Sequence, residues 1–286
     1  MLDTFISDIK TQVIADTKAY IIPDSKVAQA MLYTAAADSK CFRAALVHAT
    51  SIGLGFEVEQ KTRELAVCIE MLHSYSLIHD DLPCMDNDDV RRGKPANHIA
   101  YGESTAVLAG DALQLRALQI IVESQAIEEK AKIKILNNLI ISCGYQGMIL
   151  GQELDIRAEN DKTLNIELIH GLKTGKLIQS AIVCASMLHK SKVELETLNK
   201  LGWHIGMAFQ ITDDILEHTE TSLSLGKSNL SDTKNQKLTY VSKFGINLSS
   251  NHAQQHINSA IKLAQTSFSY PDLMMGLAKM ILERTS

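Results

Sequence analysis

Residues 73–94 read HSYSLIHDDLPCMDNDDVRRGK, an apolar run that ends in two adjacent aspartates. Pro83 disfavours a helical conformation for the residue before it, so the pattern predicts a helix that ends close to Asp80 and Asp81. The C-terminus of a helix already carries partial negative charge. Three more acids, Asp86, Asp88 and Asp89, add to this negative charge. A bound cation would reduce the resulting repulsion.

Most of the remaining chain also has a helical pattern, with apolar residues at positions such as Leu65, Ile69 and Leu72. Only four prolines occur and aromatic residues make up 5% of the chain, and both features favour helices over sheets. Turn-forming residues separate the apolar runs at ordinary helix lengths, which predicts about ten helices packed as a bundle. The 286 residues are expected to form one large all-α domain, residues 1–286.

The composition argues against several classes of protein. The formal charge of −5 is mild and the basic residues are scattered, so nucleic acid is not an expected partner. The N-terminal residues mix Asp and Lys, and no window approaches about eighteen uninterrupted apolar residues, so neither secretion nor a membrane span is expected. The five cysteines lack CxxC spacing and lie mostly in apolar stretches, which predicts free thiols in the reducing cytoplasm.

A second segment, residues 206–227, repeats the design of the first as GMAFQITDDILEHTETSLSLGK. Asp213 shares a helical face with Gln210 and Glu217, and the amide oxygen of Gln210 could meet a developing positive charge. Hard divalent cations take oxygen ligands, and Mg2+ in particular is held by a few carboxylates together with substrate phosphate and water. Basic residues suited to phosphate follow each cluster: Arg91, Arg92 and Lys94, then Lys227 and Lys237.

The two acidic clusters together predict metal ions that hold a phosphorylated substrate across a cavity of the bundle. A solvated acidic helix end, neutralised by its own arginines, is the alternative for the first cluster taken alone.

These residues resemble the short-chain trans-prenyl diphosphate synthase family, most closely its bacterial farnesyl type, over nearly the whole chain. The resemblance implies an all-α isoprenoid synthase fold, a cytoplasmic homodimer and a requirement for Mg2+. It rests on the following motifs, in chain order: KCFR (40–43), HSYSLIHDDLPCMDNDDVRRG (73–93), LAGDAL (108–113), GQELD (151–155), KTG (173–175), FQITDD (209–214), LGK (225–227) and KLTY (237–240).

The resemblance also implies roles for individual residues. Asp80, Asp81 and Asp86 would bind two Mg2+ ions, and Asp213, supported by Asp214 and Glu217, would bind a third, giving about three ions in all. A metal-free site for isopentenyl diphosphate would use Lys40, Arg43, His73 and Arg92. The allylic diphosphate, dimethylallyl or geranyl, would meet Arg91, Lys173, Thr174, Gln210, Lys227 and Lys237.

The implied chemistry is ionisation, condensation and elimination. Charge on the departing diphosphate would be stabilised by the metals and by basic residues, with Asp80, Asp81, Asp86, Lys173 and Asp213 as the catalytic set. The released diphosphate would take the proton, so no protein nucleophile is required. For the histidine beside the first aspartates, His79, we therefore expect a structural role or one that supports a ligand.

Product length is expected to depend on Tyr75 and Ser76. They precede Asp80 by about 6 to 7.5 Å along the helix axis at 1.5 Å per residue, and would form the floor of the pocket for the hydrocarbon tail. Small Ser76 leaves room and bulky Tyr75 closes the space, which predicts a fifteen-carbon product. An ordinary core position for Tyr75 is the alternative.

The chain departs from the family pattern in three places. Ala37-Asp38-Ser39 replaces glycines before Lys40, Ala44 replaces a proline, and Glu217 replaces the last aspartate of the second motif. Three rival functions remain open: a synthase of ten- or twenty-carbon products, a terpene cyclase, and a catalytically silent partner subunit. The predicted second diphosphate site argues against the cyclase, and the two intact aspartate motifs argue against the silent subunit.

Overall fold

The computed structural model describes residues 2–189, 191–225 and 238–284. Two of the predicted ligands, Lys227 and Lys237, lie outside these residues. Within them the chain is built from α-helices and one two-stranded hairpin, which confirms the prediction of an all-α fold.

The described residues form fourteen α-helices, more than the ten or so expected, because three of them are only five residues long and too short to give a clear apolar period. They are α1 Leu2–Tyr20, α2 Lys26–Ala35, α3 Phe42–Gly53, α4 Gln60–Asp80, α5 Asn97–Tyr101, α6 Glu103–Glu123, α7 Glu129–Cys143, α8 Met148–Ala158, α9 Ile166–His170, α10 Lys176–Met187, α11 Leu195–Leu225, α12 Tyr240–Phe244, α13 Ile246–Ser267 and α14 Asp272–Glu283. The strands are β1 Val90–Arg91 and β2 Lys94–Pro95, and a π-helical turn occupies Gly171–Gly175.

The contacts divide the chain into two compact units. Unit 1 consists of residues 1–137 and 184–191, and unit 2 of residues 138–183 and 192–286. The expectation of a single domain over residues 1–286 stays a prediction.

Helix α4 is the central element of unit 1. It packs against α1, α2, α3 and α6, and its Leu65, Ile69 and Ile78 side chains are fully buried. The amide of Asp81 closes the last turn by donating to the carbonyl of Leu77 at 3.1 Å. The predicted helix end at the first aspartate pair is therefore confirmed.

Helix α11 has the corresponding place in unit 2. It packs against α13, α14 and the π-helical turn. Its Met207 and Ile211 belong to a buried apolar cluster of this unit. The second aspartate pair lies in the interior of this long helix rather than at its end.

By length and composition one described helix, α6, could cross a membrane. Its most apolar stretch is 39% buried inside the protein, where Leu113 and Ile120 face the core of unit 1. A core helix meets the same criterion, so this single helix is weak evidence for a membrane span.

Candidate active site

The first aspartate pair is held by an arginine of the hairpin. Asp81 is buried, at 2% exposure, and accepts a hydrogen bond from the Nε of Arg91 at 2.9 Å. Burial raises the pKa of Asp81 above its ordinary value, and the adjacent guanidinium opposes that rise. Arg91 also donates to Asp88 at 3.0 Å, so one cation serves two acids of the motif.

The geometry of the hairpin explains how Arg91 is placed. Arg91 pairs with Lys94 across the two strands, which leaves a two-residue turn of Arg92 and Gly93. Both turn residues have positive φ, 55° and 70°, as a type I′ turn requires. Glycine adopts this conformation at little cost, whereas the positive φ of Arg92 is uncommon for a residue with a side chain.

The loop between α4 and the hairpin folds back on the helix end. The amide of Asp86 donates to the carbonyl of Asp80 at 2.8 Å, and both side chains are partly exposed. Carboxylate oxygens are the ligands that Mg2+ prefers, so the donor set fits that ion. In the described ranges, no three acid, histidine or cysteine side chains are grouped so as to hold a metal alone, which is usual where substrate phosphate completes the coordination.

A group of basic residues gathers around His73 in the same unit. Burial lowers the pKa of His73 well below its ordinary value, and the positive charges of Arg43, Arg92 and Arg91 add to this effect. The structure thus brings together three residues predicted to bind isopentenyl diphosphate. Lys40, the fourth, is exposed at the surface.

Two buried groups support this basic cluster. Glu70 accepts the amide N–H of Ala44 at 2.9 Å, a hydrogen bond that the proline expected at this position could not donate. Arg92 donates weakly to the carbonyl of Thr34, at 3.5 Å. A small pocket in unit 1 is lined by Arg92 together with Asp81, Arg91, Lys94, Tyr33, Thr34, Ala37, Pro95 and Asn97.

The predicted determinants of product length lie on different faces of α4. Tyr75 is buried and meets the ring of His79 edge-on, with centroids 6.0 Å apart. His79 is in turn 3.1 Å from the carbonyl oxygen of Val107 on α6. Ser76, partly exposed, precedes Asp80 by one turn and so shares its face.

In unit 2 the π-helical turn carries Lys173 and Thr174. A Cβ atom on Gly151 would lie 2.2 Å from the backbone nitrogen of Lys173, and one on Gly206 would lie 2.7 Å from the Cα of Gly175. The turn is therefore held between two helices that approach it closely only because both contact residues are glycines. Wide turns of this kind occur frequently at functional sites.

The side chains of this turn connect to the second aspartate pair. Lys173 forms an ion pair with Asp155 at 2.6 Å. Thr174 donates to the amide oxygen of Gln210 at 2.7 Å, and the amide nitrogen of Gln210 donates to Asp214 at 3.1 Å. Asp214 also accepts the backbone N–H of Tyr240 at 2.6 Å, so both of its oxygens serve the internal network.

Asp213 is instead paired with a residue near the C-terminal end of the chain. Its Oδ1 forms an ion pair with a terminal guanidinium nitrogen of Arg284 at 2.8 Å. The guanidinium of Arg284 also lies over the ring of Phe209, 4.1 Å from its centroid. Glu217, the last acid of the motif, is exposed.

A family model described as polyprenyl synthetase matches residues 24–270. The chain belongs to the polyprenyl synthetase family. Its sequence is 37% identical to the farnesyl diphosphate synthase of Bacillus subtilis, over 99% of this chain and 98% of that protein. It is also 38% identical to geranylgeranyl pyrophosphate synthase 7 of Arabidopsis thaliana, over 82% of this chain and 69% of that protein.

A solved structure agrees with these relatives. The geranyltransferase of Legionella pneumophila superimposes with a TM-score of 0.84 at 28% identity, over 99% of this chain and 95% of that one. This polyprenyl synthetase is accordingly a prenyltransferase.

Several contacts in this polyprenyl synthetase could not be read from the sequence. Arg284 has no motif around it, and its partner Asp213 is far away in the chain. Glu70 is a single acid within the apolar residues 65–72 and belongs to none of the motifs. Gly206 begins the second segment, but only its closeness to Gly175 explains why it has no side chain.

Proposed function

We propose that this polyprenyl synthetase is a farnesyl diphosphate synthase. It joins dimethylallyl and then geranyl diphosphate head-to-tail with isopentenyl diphosphate, giving (2E,6E)-farnesyl diphosphate and diphosphate. The observation that carries the proposal is in unit 1, where Asp81 of the acidic helix end and Arg92 of the basic cluster line the same small pocket. Such a pair suits two diphosphates, one held through metal and one held directly, whereas a cyclase needs only the first.

Magnesium would be held by Asp80, Asp81 and Asp86 in unit 1 and by Asp213 in unit 2, with Asp214 and Glu217 in support. When bound, Mg2+ neutralises charge on the departing diphosphate. Asp214 would act mainly through Gln210 and Tyr240, since both of its oxygens already accept hydrogen bonds.

Different basic residues would bind the two substrates. Arg91 and Lys173 would exchange their present carboxylate partners for the allylic diphosphate. Lys227 and Lys237 would bind the same anion. Lys40, Arg43 and Arg92 would hold isopentenyl diphosphate. His73, kept neutral by burial and by its arginine neighbours, would donate an N–H to that anion without adding a charge.

The remaining polar groups would guide the allylic cation. Thr174 fixes the amide of Gln210, whose oxygen has a second lone pair for a nearby positive charge. The final proton would pass to the released diphosphate, so no side chain serves as the base. Tyr75 would limit the product to fifteen carbons, and small Ser76 would admit the ten-carbon intermediate.

We further propose that the protein is a cytoplasmic homodimer. Leu108, Leu115 and Val122 recur every seven residues on α6 and are each more than half exposed, which forms an apolar stripe suited to pairing with another helix. Leu115→Glu should lower the mass measured by light scattering towards that of the monomer. Ile22→Glu, at an equally exposed position, should leave the mass unchanged.

Product analysis tests the proposed activity. Purified protein is incubated with Mg2+, dimethylallyl diphosphate and excess isopentenyl diphosphate, and the alcohols are separated after removal of phosphate. Farnesol is the expected product. Geraniol or geranylgeraniol would support the condensation reaction but change the proposed chain length. Because of the similarity to the Arabidopsis protein, the twenty-carbon product is the second candidate. Absence of any product would favour a cyclase or a silent subunit.

A further inference from the structure

Arg284 is a largely buried cation, and only some of its N–H groups have partners among the described residues. Its side chain is 13% exposed and forms an ion pair with Asp213. Its Nε and one terminal nitrogen have no hydrogen-bond partner among the residues that the structure describes. Leaving buried N–H donors unpaired is unfavourable, so a nearby anion that accepted them would be stabilised.

The position of Arg284 is set by the core of unit 2. It follows α14, which packs on α11 through buried side chains that include Leu277 and Ile281. Phe209 lies one turn before Asp213 on α11, so ring and carboxylate share a face. The guanidinium stacks on the ring while it pairs with the acid, and the two contacts fix both its plane and its charge.

Arg284 and a divalent cation would compete for Asp213. A metal bound to the same carboxylate would lie within a few ångströms of the guanidinium, and two positive charges at that distance repel each other. The metal-free pair therefore disfavours a bare cation. A cation that arrives with diphosphate brings negative charge, which offers the guanidinium a new partner.

We propose that Arg284 is an internal counter-ion for the second aspartate motif. It holds Asp213 in the metal-free protein and transfers to diphosphate oxygens when metal and diphosphate bind together. Its unpaired N–H groups then find acceptors. The consequence is that Arg284 weakens binding of metal alone and strengthens binding of the metal–diphosphate complex, which makes this step respond to substrate. This inference rests on the metal role proposed for Asp213.

Manganese binding, measured by electron paramagnetic resonance, tests this role without turnover. The full chain carries Asp80→Asn and Asp86→Asn to silence the first motif, and Mn2+ is titrated with and without inorganic pyrophosphate. Arg284→Gln should tighten binding of Mn2+ alone on the order of five-fold, as expected for loss of one partly exposed ion pair. It should also reduce the gain in affinity that pyrophosphate gives.

Matched variants separate the possible outcomes. Lys279→Gln, on the exposed side of α14, should behave like the parent. Arg284→Lys keeps the charge, so it should bind Mn2+ alone as the parent does, but it lacks the stacked guanidinium and should show a smaller gain with pyrophosphate. Asp213→Asn should weaken Mn2+ binding. If it does, but Arg284→Gln changes neither titration, the counter-ion role is wrong and the metal site stands. If Asp213→Asn has no effect, the metal role of Asp213 fails, and the counter-ion role fails with it.

Discussion

At the scale of the residue, an arginine pairs with one of the two adjacent aspartates in each motif, Arg91 with Asp81 and Arg284 with Asp213. The acids themselves were predictable, because adjacent aspartates after an apolar helical run leave a local signal. Their arginine partners were only half predictable. Arg91 follows its motif directly, whereas Arg284 reaches Asp213 only through the packing of two helices.

Removal of a motif aspartate should abolish turnover. Asp80→Ala and Asp213→Ala are each expected to lower the rate of product formation by about a thousand-fold or more, since charge on the leaving group loses its stabilisation. Circular dichroism should show an unchanged helical content. The exposed Asp89, replaced by Asn, is the control and should keep normal activity; near-normal rates in either alanine variant would refute the metal assignment.

Shortening Tyr75 should lengthen the product. Tyr75→Ala removes the ring proposed to close the pocket, so twenty-carbon geranylgeraniol is expected to appear at the expense of farnesol. Tyr270→Ala, at an exposed position, should leave the product pattern as it is. Because loss of a buried ring costs about 3 kcal/mol or more, thermal unfolding is recorded in parallel. An unchanged product from folded Tyr75→Ala would show that Tyr75 is only a core residue.

At the scale of the element, local signals located α4 well and the π-helical turn poorly. Pro83 and the apolar period of α4 act within a few residues, so the end of that helix could be predicted. The wide turn at Gly171–Gly175 depends on Gly151 and Gly206, which are distant in sequence and close in space. The same holds for the hairpin, whose turn requires a positive φ at Arg92 that its residue type does not indicate.

A methyl group at Gly206 should displace this turn. In Gly206→Ala the new Cβ would lie 2.7 Å from the Cα of Gly175. This contact is with a backbone atom, which cannot move aside as the end of a flexible side chain can. We expect a loss of about 1–3 kcal/mol in unfolding free energy, and at least about ten-fold lower activity, because misplacing Lys173 and Thr174 disturbs substrate positioning.

Gly171→Ala is the matched control for that experiment. Its nearest contact would be the Trp203 side chain at 3.9 Å, an ordinary separation, so stability and activity should stay close to those of the parent. Equal behaviour of the two alanine variants, in urea unfolding and in the product assay, would contradict the close-packing explanation.

At the scale of the whole molecule, the helical class followed from composition and period, whereas the division into units did not. Residues 184–191 belong with unit 1, and there His189 lies 3.1 Å from the hydroxyl of Ser51 and stacks on Phe56. This packing depends on contacts between segments that are distant in the chain, and the apolar period of a helix does not predict such contacts.

Stability should fall in mild acid because of buried histidine. His48 is 5% exposed, and burial, followed by the charge of Arg63, lowers its pKa to about 4. The folded state thus keeps His48 neutral while the unfolded chain binds a proton below about pH 6.5. The stability linked to His48 is complete above that pH and is lost as the pH falls towards 4, by about 2 kcal/mol between pH 7 and 5.

Urea unfolding at pH 7 and pH 5 measures this effect. In His48→Gln the fall in unfolding free energy between the two pH values should be about 2 kcal/mol smaller than in the parent. His218→Gln, at an exposed position, should show the parental fall. A variant at position 48 with the parental pH dependence would mean that His48 is protonated in the folded protein.

The hairpin at residues 90–95 has a consequence for how the two substrates bind together. Arg91 ends the first strand and Arg92 begins the tight turn, and the proposed function gives each to a different diphosphate. A shift of the hairpin that moves one guanidinium moves the other as well. Occupancy by either substrate then changes the affinity for its co-substrate by the same factor in both directions, so the coupling between the two substrates becomes a property of one short loop.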